Sequence, residues 1–254
     1  MVNNFHTHTY RCHHAIGKDE EYVQCAIKAG MKQLGFSDHS PWHYDSDFQS
    51  TIRMDETQLD NYLNSLLYLK EKYKNQIDIF IGLECEYFEK YIPWLKKTLH
   101  EKPIDYIILG NHYYKSDEYH IYFGSPVNEK YLISYVDHCI SAIDTGLYSY
   151  IAHPDLVCFD SKSKIYQREM SRLCQYAKIH DIPLEFNLLG FISGRNYPNE
   201  DFWKIASQYQ NKAIIGFDAH TPDSLLDINT YNKAFHYLSS LDVELIDTIK
   251  IKKE

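Results

Sequence analysis

The chain has 254 residues, of which 24% are charged, and a formal net charge of −9 when histidine is counted as neutral. Because clustered lysine and arginine supply most non-specific affinity for nucleic acid, this acidic balance argues against DNA or RNA as the main partner. No apolar run approaches the roughly 18 residues of a membrane span, so we expect no membrane partner. The 6 cysteines are dispersed, so we expect free thiols and a cytoplasmic location.

The first predicted element is a short strand over residues 2–9 that contains His6 and His8. Residues two positions apart in a strand point to the same face, so these two imidazoles can chelate one ion. His13 and His14 follow closely, which makes this stretch the densest group of nitrogen ligands in the sequence. Neutral imidazole suits zinc, iron and manganese, and the stretch therefore predicts a metal site.

The rest of the chain alternates short apolar runs with amphipathic segments. Six further strands are predicted at residues 33–37, 77–83, 106–109, 148–152, 182–186 and 213–217. Helices are predicted at residues 19–29, 57–73, around Trp94, and at 129–145, 164–180, 199–208 and 230–241. About seven strand and helix alternations predict a parallel sheet that is covered by helices.

Every predicted strand ends in a residue with a metal-binding or amide side chain. In chain order these are His6 and His8, His39, Glu84, His112, His153, Asn187, and Asp218 with His220. In a closed βα barrel the C-terminal strand ends meet on one face, whereas the outer strands of a flat sheet end too far apart to share ligands. The pattern favours an α/β barrel with residues 1–254 as a single domain, and a site for two or three divalent ions.

Six short motifs occur at these strand ends in a fixed order. They are Phe5-His6-Thr7-His8 followed by His14, Phe36-Ser37-Asp38-His39, Gly82-Leu83-Glu84, Gly110-Asn111-His112, Ala152-His153-Pro154-Asp155-Leu156 and Gly216-Phe217-Asp218-Ala219-His220. Together they resemble the PHP (polymerase and histidinol phosphatase) metal-dependent phosphoesterases over residues 2 to about 225. Residues 37–42, 84–87 and 184–187 are most similar to the monofunctional histidinol-phosphatase branch. The resemblance implies a distorted (β/α)7 TIM-like barrel, which agrees with the strand count.

The resemblance also implies three metal positions. The first is formed by His6, His8, Glu84 and Asp218, the second by Glu84, His112 and His153, and the third by His14, His39 and His220. Glu84 then bridges two ions, and it is preferred to Glu86 because it matches the Gly-x-Glu motif. His14 is preferred to His13 because of its spacing from His8. Zinc, iron and manganese all accept this ligand set, so the native metal stays open.

The activity that the resemblance implies is hydrolysis of a small phosphate monoester, most specifically L-histidinol phosphate in histidine biosynthesis. A hydroxide formed between the ions would attack phosphorus, which makes Glu84 and Asp218 catalytic through the ions. Arg195, after the sixth predicted strand, is the predicted phosphate clamp, because a guanidinium can bind phosphate in a bidentate manner. Further candidate substrate contacts are Glu86, Asn187 and His43.

Three departures from the family pattern concern the substrate pocket. Relatives commonly have Ser-Val-His at residues 110–112 and His-Leu-Asp-Leu at residues 153–156, where this chain has Gly-Asn-His and His-Pro-Asp-Leu. Many also have a basic residue soon after the second motif, where this chain has Val157-Cys158-Phe159. The alternatives are therefore a phosphatase for another small ester, a nuclease, which the acidic balance disfavours, and a non-catalytic metal-binding module. Arg195 as an ordinary solvated arginine is also an alternative. The oligomeric state stays open.

Overall fold

The computed structural model describes residues 2–251, and six parallel strands form the centre of this part of the chain. Their bounds are β1 Gln33–His39, β2 Asp78–Cys85, β3 Tyr106–Leu109, β4 Leu184–Asn187, β5 Lys212–Gly216 and β6 Glu244–Leu245. β2 pairs with β1 and β3, and β5 pairs with β4 and β6. Every one of these pairings is parallel, as the strand and helix alternation predicted.

Isolated parallel bridges join the two sheets into a closed ring. The bridges are Leu109–Ile151, Ile151–Leu184, Asn4–Leu34 and Thr7–Ala219. The ring therefore passes through the N-terminal segment, β1, β2, β3, the segment around Ile151, β4, β5 and back to the N-terminal segment. This arrangement is a distorted seven-membered βα barrel, and the predicted fold class is confirmed.

The predicted strand at residues 2–9 is an extended segment without regular ladder pairing, and the side chain of Asn4 explains why. Its Oδ1 accepts hydrogen bonds from the backbone N–H groups of His6 at 3.2 Å and Phe217 at 3.0 Å, and its Nδ2 donates to the carbonyl of His6 at 2.9 Å. An asparagine side chain that binds nearby backbone groups in this way competes with ladder pairing. The segment still lies in the ring position that the sequence predicted.

The predicted strand at residues 148–152 is likewise reduced to bridges at Ile151. On its β4 side, Ile151 donates its N–H to the carbonyl of Pro183 at 3.1 Å and accepts from the N–H of Glu185 at 2.9 Å. Proline has no N–H to continue the ladder towards the start of this segment. On the β4 side the pairing is therefore confined to Ile151.

β6 is not predicted by the sequence pattern, since it has only two residues. The N–H of Ile246 donates to the carbonyl of Ala213 at 2.9 Å, and Nδ2 of Asn3 donates to the carbonyl of Asp247 at 2.9 Å. This segment therefore lies between the start of β5 and the N-terminal segment. It widens the ring at the N-terminal ends of the strands, away from the ends that carry the candidate ligands.

Helices cover the outside of the ring. Those in residues 2–251 are α1 Asp19–Lys28, α2 Leu59–Tyr73, α3 Ile92–Glu101, α4 Glu129–Asp144, α5 Lys164–Ile179, α6 Leu188–Ser193, α7 Glu200–Gln208 and α8 Ile228–Ser240. All except α6 correspond to predicted helices. None of these helices is both long enough and apolar enough to cross a membrane.

The interior of the ring is apolar towards the N-terminal ends of the strands. Its buried members are Phe5, Tyr106, Ile108, Tyr150, Ala152 and Ile214. Gly35 leaves the space that Tyr106 needs, because a Cβ at residue 35 would lie 2.3 Å from the tyrosine Oη. Phe5 and Ala152 are followed directly by the buried polar residues His6 and His153, so the interior becomes polar towards the C-terminal ends of the strands.

Candidate metal centre

The nine side chains proposed as metal ligands lie together at the C-terminal end of the ring. Eight of them line a cavity of about 500 Å³, namely His8, His14, His39, Glu84, His112, His153, Asp218 and His220. The ninth, His6, is fully buried next to them, and its Nε2 lies 3.1 Å from Nε2 of His8. Closure of the ring brings together residues that are more than two hundred positions apart, since Nε2 of His6 is 3.4 Å from Oδ1 of Asp218.

Glu84 stands at the centre, and its two oxygens face different imidazoles. Oε1 lies 2.9 Å from Nε2 of His153 and 3.4 Å from Nε2 of His112. Oε2 lies 3.0 Å from Nδ1 of His39 and 3.5 Å from Nε2 of His8. A carboxylate with a separate group of nitrogen ligands at each oxygen has the geometry needed to bridge two cations.

Asp218 faces the other side of the same group. Its Oδ1 lies 3.1 Å from Nε2 of His8 and 3.3 Å from Nδ1 of His220. Burial would raise the pKa of Asp218, but His6, His220 and His8 outweigh burial and lower this pKa well below its usual value. The carboxylate is therefore ionised and available as a metal ligand.

The pKa values of Glu84 and His6 show that carboxylates and imidazoles stabilise each other's charged forms in the inner part of the cavity, whereas burial lowers the pKa of His39 well below its usual value and that of His220 to about 3. Burial would raise the pKa of Glu84, but the imidazoles around it, His112 first, lower the pKa well below its usual value. Burial would lower the pKa of His6, but Glu185 and other carboxylates raise it well above its usual value. The cavity therefore draws in positive charge, which divalent cations can supply in place of protons.

Several ligand atoms in this cavity are buried without a hydrogen bond in residues 2–251. They are Nδ1 of His39, Nδ1 of His153, Oε2 of Glu84, Oδ1 of Asp218 and Nε2 of His220. Although Nδ1 of His39 and Oε2 of Glu84 are 3.0 Å apart, they are not aligned for a hydrogen bond. Buried polar atoms are almost always paired in proteins, so unpaired atoms of this kind fit a metal-binding cavity.

The third group of candidate ligands lies at the rim of the cavity. The imidazole of His220 stacks on that of His8 with ring centroids 4.1 Å apart and on that of His14 at 4.7 Å. Nδ1 of His14 lies 2.7 Å from the carbonyl of Cys12, which leaves Nε2 free. The neighbouring His13 lines a different cleft. This geometry favours His14 over His13 as a metal ligand. The thiol of Cys12 also lies close to the nitrogens of His14 and His220.

Two glycines make room for carboxylates of the site. A Cβ at Gly110 would lie 2.2 Å from Oε1 of Glu84, and a Cβ at Gly216 would lie 1.8 Å from Oε1 of Glu185. Any larger residue at either position would displace the carboxylate. The glycine in Gly110-Asn111-His112, which departs from the family pattern, is thus matched to the position of Glu84.

Three carboxylates contact the Nδ1 atoms of candidate ligands. Oε1 of Glu185 lies 2.8 Å from Nδ1 of His6, Oδ1 of Asp38 lies 3.3 Å from Nδ1 of His8, and Oε1 of Glu86 lies 3.0 Å from Nδ1 of His112. Such contacts fix the tautomer of a metal-binding histidine. Neither Glu185 nor Asp38 is among the residues predicted from the sequence to bind metal or substrate. Glu185 is two residues from Asn187 on β4, and this spacing places both side chains on the same face.

Arg195 lies at the opening of the same cavity. It follows the unpredicted helix α6, which begins where Oδ1 of Asn187 accepts a hydrogen bond from the N–H of Gly190 at 2.8 Å and ends at Gly194 with a φ of +61°. Nη1 of Arg195 donates to Oη of Tyr197 at 2.6 Å. The guanidinium is exposed on its other side, so it can reach a phosphate in the cavity.

The other three candidate substrate contacts differ in their surroundings. Both oxygens of Glu86 are already bound by protein groups. Nδ2 of Asn187 donates to Asp218 at 3.1 Å and to Glu185 at 2.9 Å, so this buried amide positions carboxylates. His43 does not line the cavity; its Nδ1 lies 2.6 Å from Oε2 of Glu56 at the surface. The prediction for His43 differs from the structure because sequence spacing does not fix where a residue of a solvent-exposed loop lies.

The chain is similar in sequence to a known family and to two of its named members. The sequence model of the PHP domain family matches residues 4–188. A protein from Schizosaccharomyces pombe named "Probable histidinol-phosphatase" is 27% identical over 272 residues, covering 96% of this chain and 88% of the relative. One of the same name from Deinococcus radiodurans is 26% identical over 227 residues, covering 85% of each chain.

A solved structure also resembles the whole chain. It is that of histidinol phosphate phosphatase from Lactococcus lactis complexed with zinc, L-histidinol and phosphate. The TM-score is 0.71 at 16% sequence identity, and the match covers 98% of each chain. The two chains therefore share their fold over the matched 98% of each.

Proposed function

The chain belongs to the PHP domain family, and we propose that it is a metal-dependent phosphomonoesterase that hydrolyses L-histidinol phosphate to L-histidinol and phosphate. The relatives that match most of its length are named histidinol-phosphatases, and the similar Lactococcus lactis structure was solved with zinc, L-histidinol and phosphate. The observation that carries the proposal is the placement of Glu84, whose oxygens face His153 and His112 on one side and His39 and His8 on the other.

The proposed metal positions follow from this placement. Oε1 of Glu84 with His112 and His153 forms one position, and Oε2 with His6, His8 and Asp218 forms the next. The third position uses His14, His39 and His220. When bound, two or three divalent ions such as zinc, iron or manganese would supply an activated water and neutralise the charge of the phosphoryl group.

The protein's own groups then bind and orient the ester. Arg195 contributes a cation at the cavity opening, and its contact with Oη of Tyr197, 2.6 Å from Nη1, holds the guanidinium towards the cavity. Tyr197 is itself buried, so this anchor is rigid. The phosphate is expected between the arginine and the cluster around Glu84, because a guanidinium can donate two hydrogen bonds to it.

The leaving group is expected against the outer wall of the cavity, formed by Tyr113, Tyr122, Ile52 and Leu189. The rings of Tyr113 and Tyr122 lie 5.5 Å apart and are partly exposed. Aromatic faces attract organic cations and stack on planar rings. An imidazole bearing a nearby ammonium, as in L-histidinol, suits such a wall.

A direct experiment is phosphate release by protein loaded with zinc or manganese. L-histidinol phosphate, other small phosphate esters and single-stranded DNA are compared at equal concentrations, with chelated protein as the control. We expect kcat/KM for L-histidinol phosphate to exceed that for the other esters by roughly 100-fold, the discrimination that a fitted pocket gives. Preference for another ester, or cleavage of DNA, would replace the proposed substrate. Bound metal without any turnover would indicate a metal-binding module.

The proposal also covers the domain organisation, the cellular location and the class of partner. Residues 1–254 are taken to act as one domain in the cytoplasm, where free thiols persist. All six cysteines are free in the structure. A small phosphate ester rather than nucleic acid is the expected partner, because a chain with a net charge of −9 repels polyanions.

A further inference from the structure

Arg53 is a fully buried arginine in a loop without regular secondary structure. Its guanidinium pairs with Glu86 in a bidentate manner, with Nη2 donating to Oε1 at 2.8 Å and Nη1 donating to Oε2 at 3.0 Å. Its Nε donates to Oδ2 of Asp117 at 3.0 Å, and Nη1 also donates to the carbonyl of Ser40 at 3.1 Å. Burying an ion pair costs free energy unless its geometry is good and its donors are satisfied; here the pair is bidentate, and four of the five guanidinium N–H groups have partners.

One end of this network leads to a proposed metal ligand. Oε1 of Glu86, which accepts from Arg53, also lies 3.0 Å from Nδ1 of His112. An ionised carboxylate only accepts hydrogen bonds, so Nδ1 of His112 donates to it, and Nε2 is the nitrogen that remains for a cation. That Nε2 points to Oε1 of Glu84, 3.4 Å away. The indole of Trp42 fixes the other oxygen of Glu86 at 3.0 Å.

The other end holds the wall of the cavity. The carboxylate of Asp117 accepts hydrogen bonds from the hydroxyl of Tyr44 at 2.6 Å and from that of Ser50 at 2.8 Å. Both hydroxyls belong to the loop that contains Arg53, and the next two residues of this loop, Thr51 and Ile52, line the cavity. The arginine thus ties the loop to the segment that follows β3.

Arg53 also supplies the positive charge beside Glu86, through the two hydrogen bonds that it donates to this carboxylate. The carboxylates that contact His6 and His8, Glu185 and Asp38, have no arginine or lysine partner within residues 2–251. Glu86 differs from them because it lies two residues from Glu84 on the same chain segment, and a second anion so close to the first needs a cation beside it.

We propose that Arg53 is a positioning residue for the metal position served by His112, which it controls by holding Glu86 against Nδ1 of that histidine and by fixing the loop that carries Thr51 and Ile52. The inference rests on the proposed metal-dependent function. It concerns metal binding rather than turnover, so it can be tested independently of the substrate.

The test compares the metal content of purified wild-type protein and Arg53→Ala over a graded series of free zinc concentrations set by a chelator. The expected result is that one ion binds about 10- to 100-fold more weakly, as is typical when a partner of a metal-binding histidine is lost, while the remaining ions are retained. Millimolar guanidinium, which can fill the space left by the side chain, should restore that ion in Arg53→Ala and leave the wild type unchanged.

Arg11→Ala is the matched control. Arg11 is also buried, at 2% exposure, and its Nη1 pairs with Asp19 at 3.0 Å, but it contacts neither Glu86 nor His112. This variant should lose stability and keep the affinity of the ion at His112. Insensitivity to guanidinium in Arg11→Ala would show that the rescue is specific.

Unchanged affinity for every ion in Arg53→Ala, or loss of all ions together without rescue by guanidinium, would overturn the proposal. If Arg53→Ala does not fold, Glu86→Gln decides the question, because glutamine keeps the shape and removes the charge. Selective weakening of one ion in a folded Glu86→Gln protein supports the proposal, and unchanged binding contradicts it. Selective weakening without any phosphate release from L-histidinol phosphate would leave this inference standing and remove only the substrate assignment.

Discussion

Nδ1 of His6 lies 2.8 Å from Oε1 of Glu185, and both side chains are completely buried. Because a carboxylate only accepts, His6 donates from Nδ1 and presents its Nε2 to Asp218 and Glu84, 3.4 Å and 3.6 Å away. Oε2 of Glu185 also accepts from the backbone N–H of His153 at 3.1 Å. One buried carboxylate therefore orients two of the proposed ligands.

Glu185→Gln should weaken metal binding at the position of His6. The amide can also donate, so it no longer fixes the tautomer of His6, and we expect about 10- to 100-fold lower metal affinity with a parallel fall in phosphate release. Metal titration followed by elemental analysis measures the change. Glu129→Gln, on the exposed start of α4, is the control. Equal metal affinity in the two variants would contradict the role given to Glu185.

Gly110→Ala should remove metal binding without preventing folding. The new Cβ would lie 2.2 Å from Oε1 of Glu84, so the carboxylate must leave the position in which it faces both groups of imidazoles. Gly146→Ala is the control, since Gly146 has a φ of +70° with no atom near the new Cβ, and a side chain in this left-handed conformation should cost only about 1–2 kcal/mol of stability. Normal metal content in Gly110→Ala would show that Glu84 is not held as described.

Arg195→Ala should lower kcat/KM for the phosphate ester by about 100-fold, the range found when a charged donor to a transition state is removed. Arg195→Lys should recover only part of the loss, because an ammonium lacks the planar, two-donor geometry. Metal content should not change, since Arg195 contacts Tyr197 and none of the proposed ligands. Arg168→Ala, on the exposed face of α5, serves as the comparison. If Arg195→Ala keeps wild-type kinetics, Arg195 does not bind the phosphate and is an ordinary solvated arginine, as in the alternative interpretation.

The barrel and the grouping of its strand ends could be predicted from the sequence because both depend on local patterns. Apolar runs such as β2 end in a polar residue such as Glu84, and parallel strands bring such ends together. The two-residue strand β6 and the helix α6 could not be predicted, because neither has a periodic pattern long enough to detect. They depend on tertiary contacts, as in the bond from Asn3 to the carbonyl of Asp247.

The ligand set was easier to predict than the residues that support it. His6 and His8 form a motif that can be recognised in the sequence. Arg53 lies in a polar loop, and the sequence alone does not distinguish a buried arginine there from a solvent-exposed one. Its pairing with Glu86 spans 33 positions, and no spacing rule connects the two. The expectation that Glu86 contacts the substrate shows the same limit. A spacing of two residues predicts that Glu84 and Glu86 lie on one face of the strand, but it does not show that only Glu84 faces the cavity.

Stability should fall as the pH is lowered from 7 to 4, in part because of His138. Burial lowers the pKa of His138 to about 4, and its ring stacks on Tyr114 with centroids 5.8 Å apart. Below the ordinary pKa near 6.5 the unfolded chain binds a proton that the folded chain does not, so stability is lost as the pH falls, by at most about 3 kcal/mol. His138→Phe should flatten this part of the pH profile in denaturant unfolding. If the unfolding free energy of His138→Phe depends on pH as steeply as that of the exposed-site control His236→Phe, His138 does not cause this loss of stability.

The central claim is that several ions bind in one cavity around Glu84, and anomalous scattering from crystals of zinc-loaded protein tests it most directly. We expect two or three peaks in the cavity, one of them about 2 Å from each oxygen of Glu84, and every peak about 2 Å from nitrogens of the surrounding histidines. A single peak, or peaks held by residues outside this group, would contradict it.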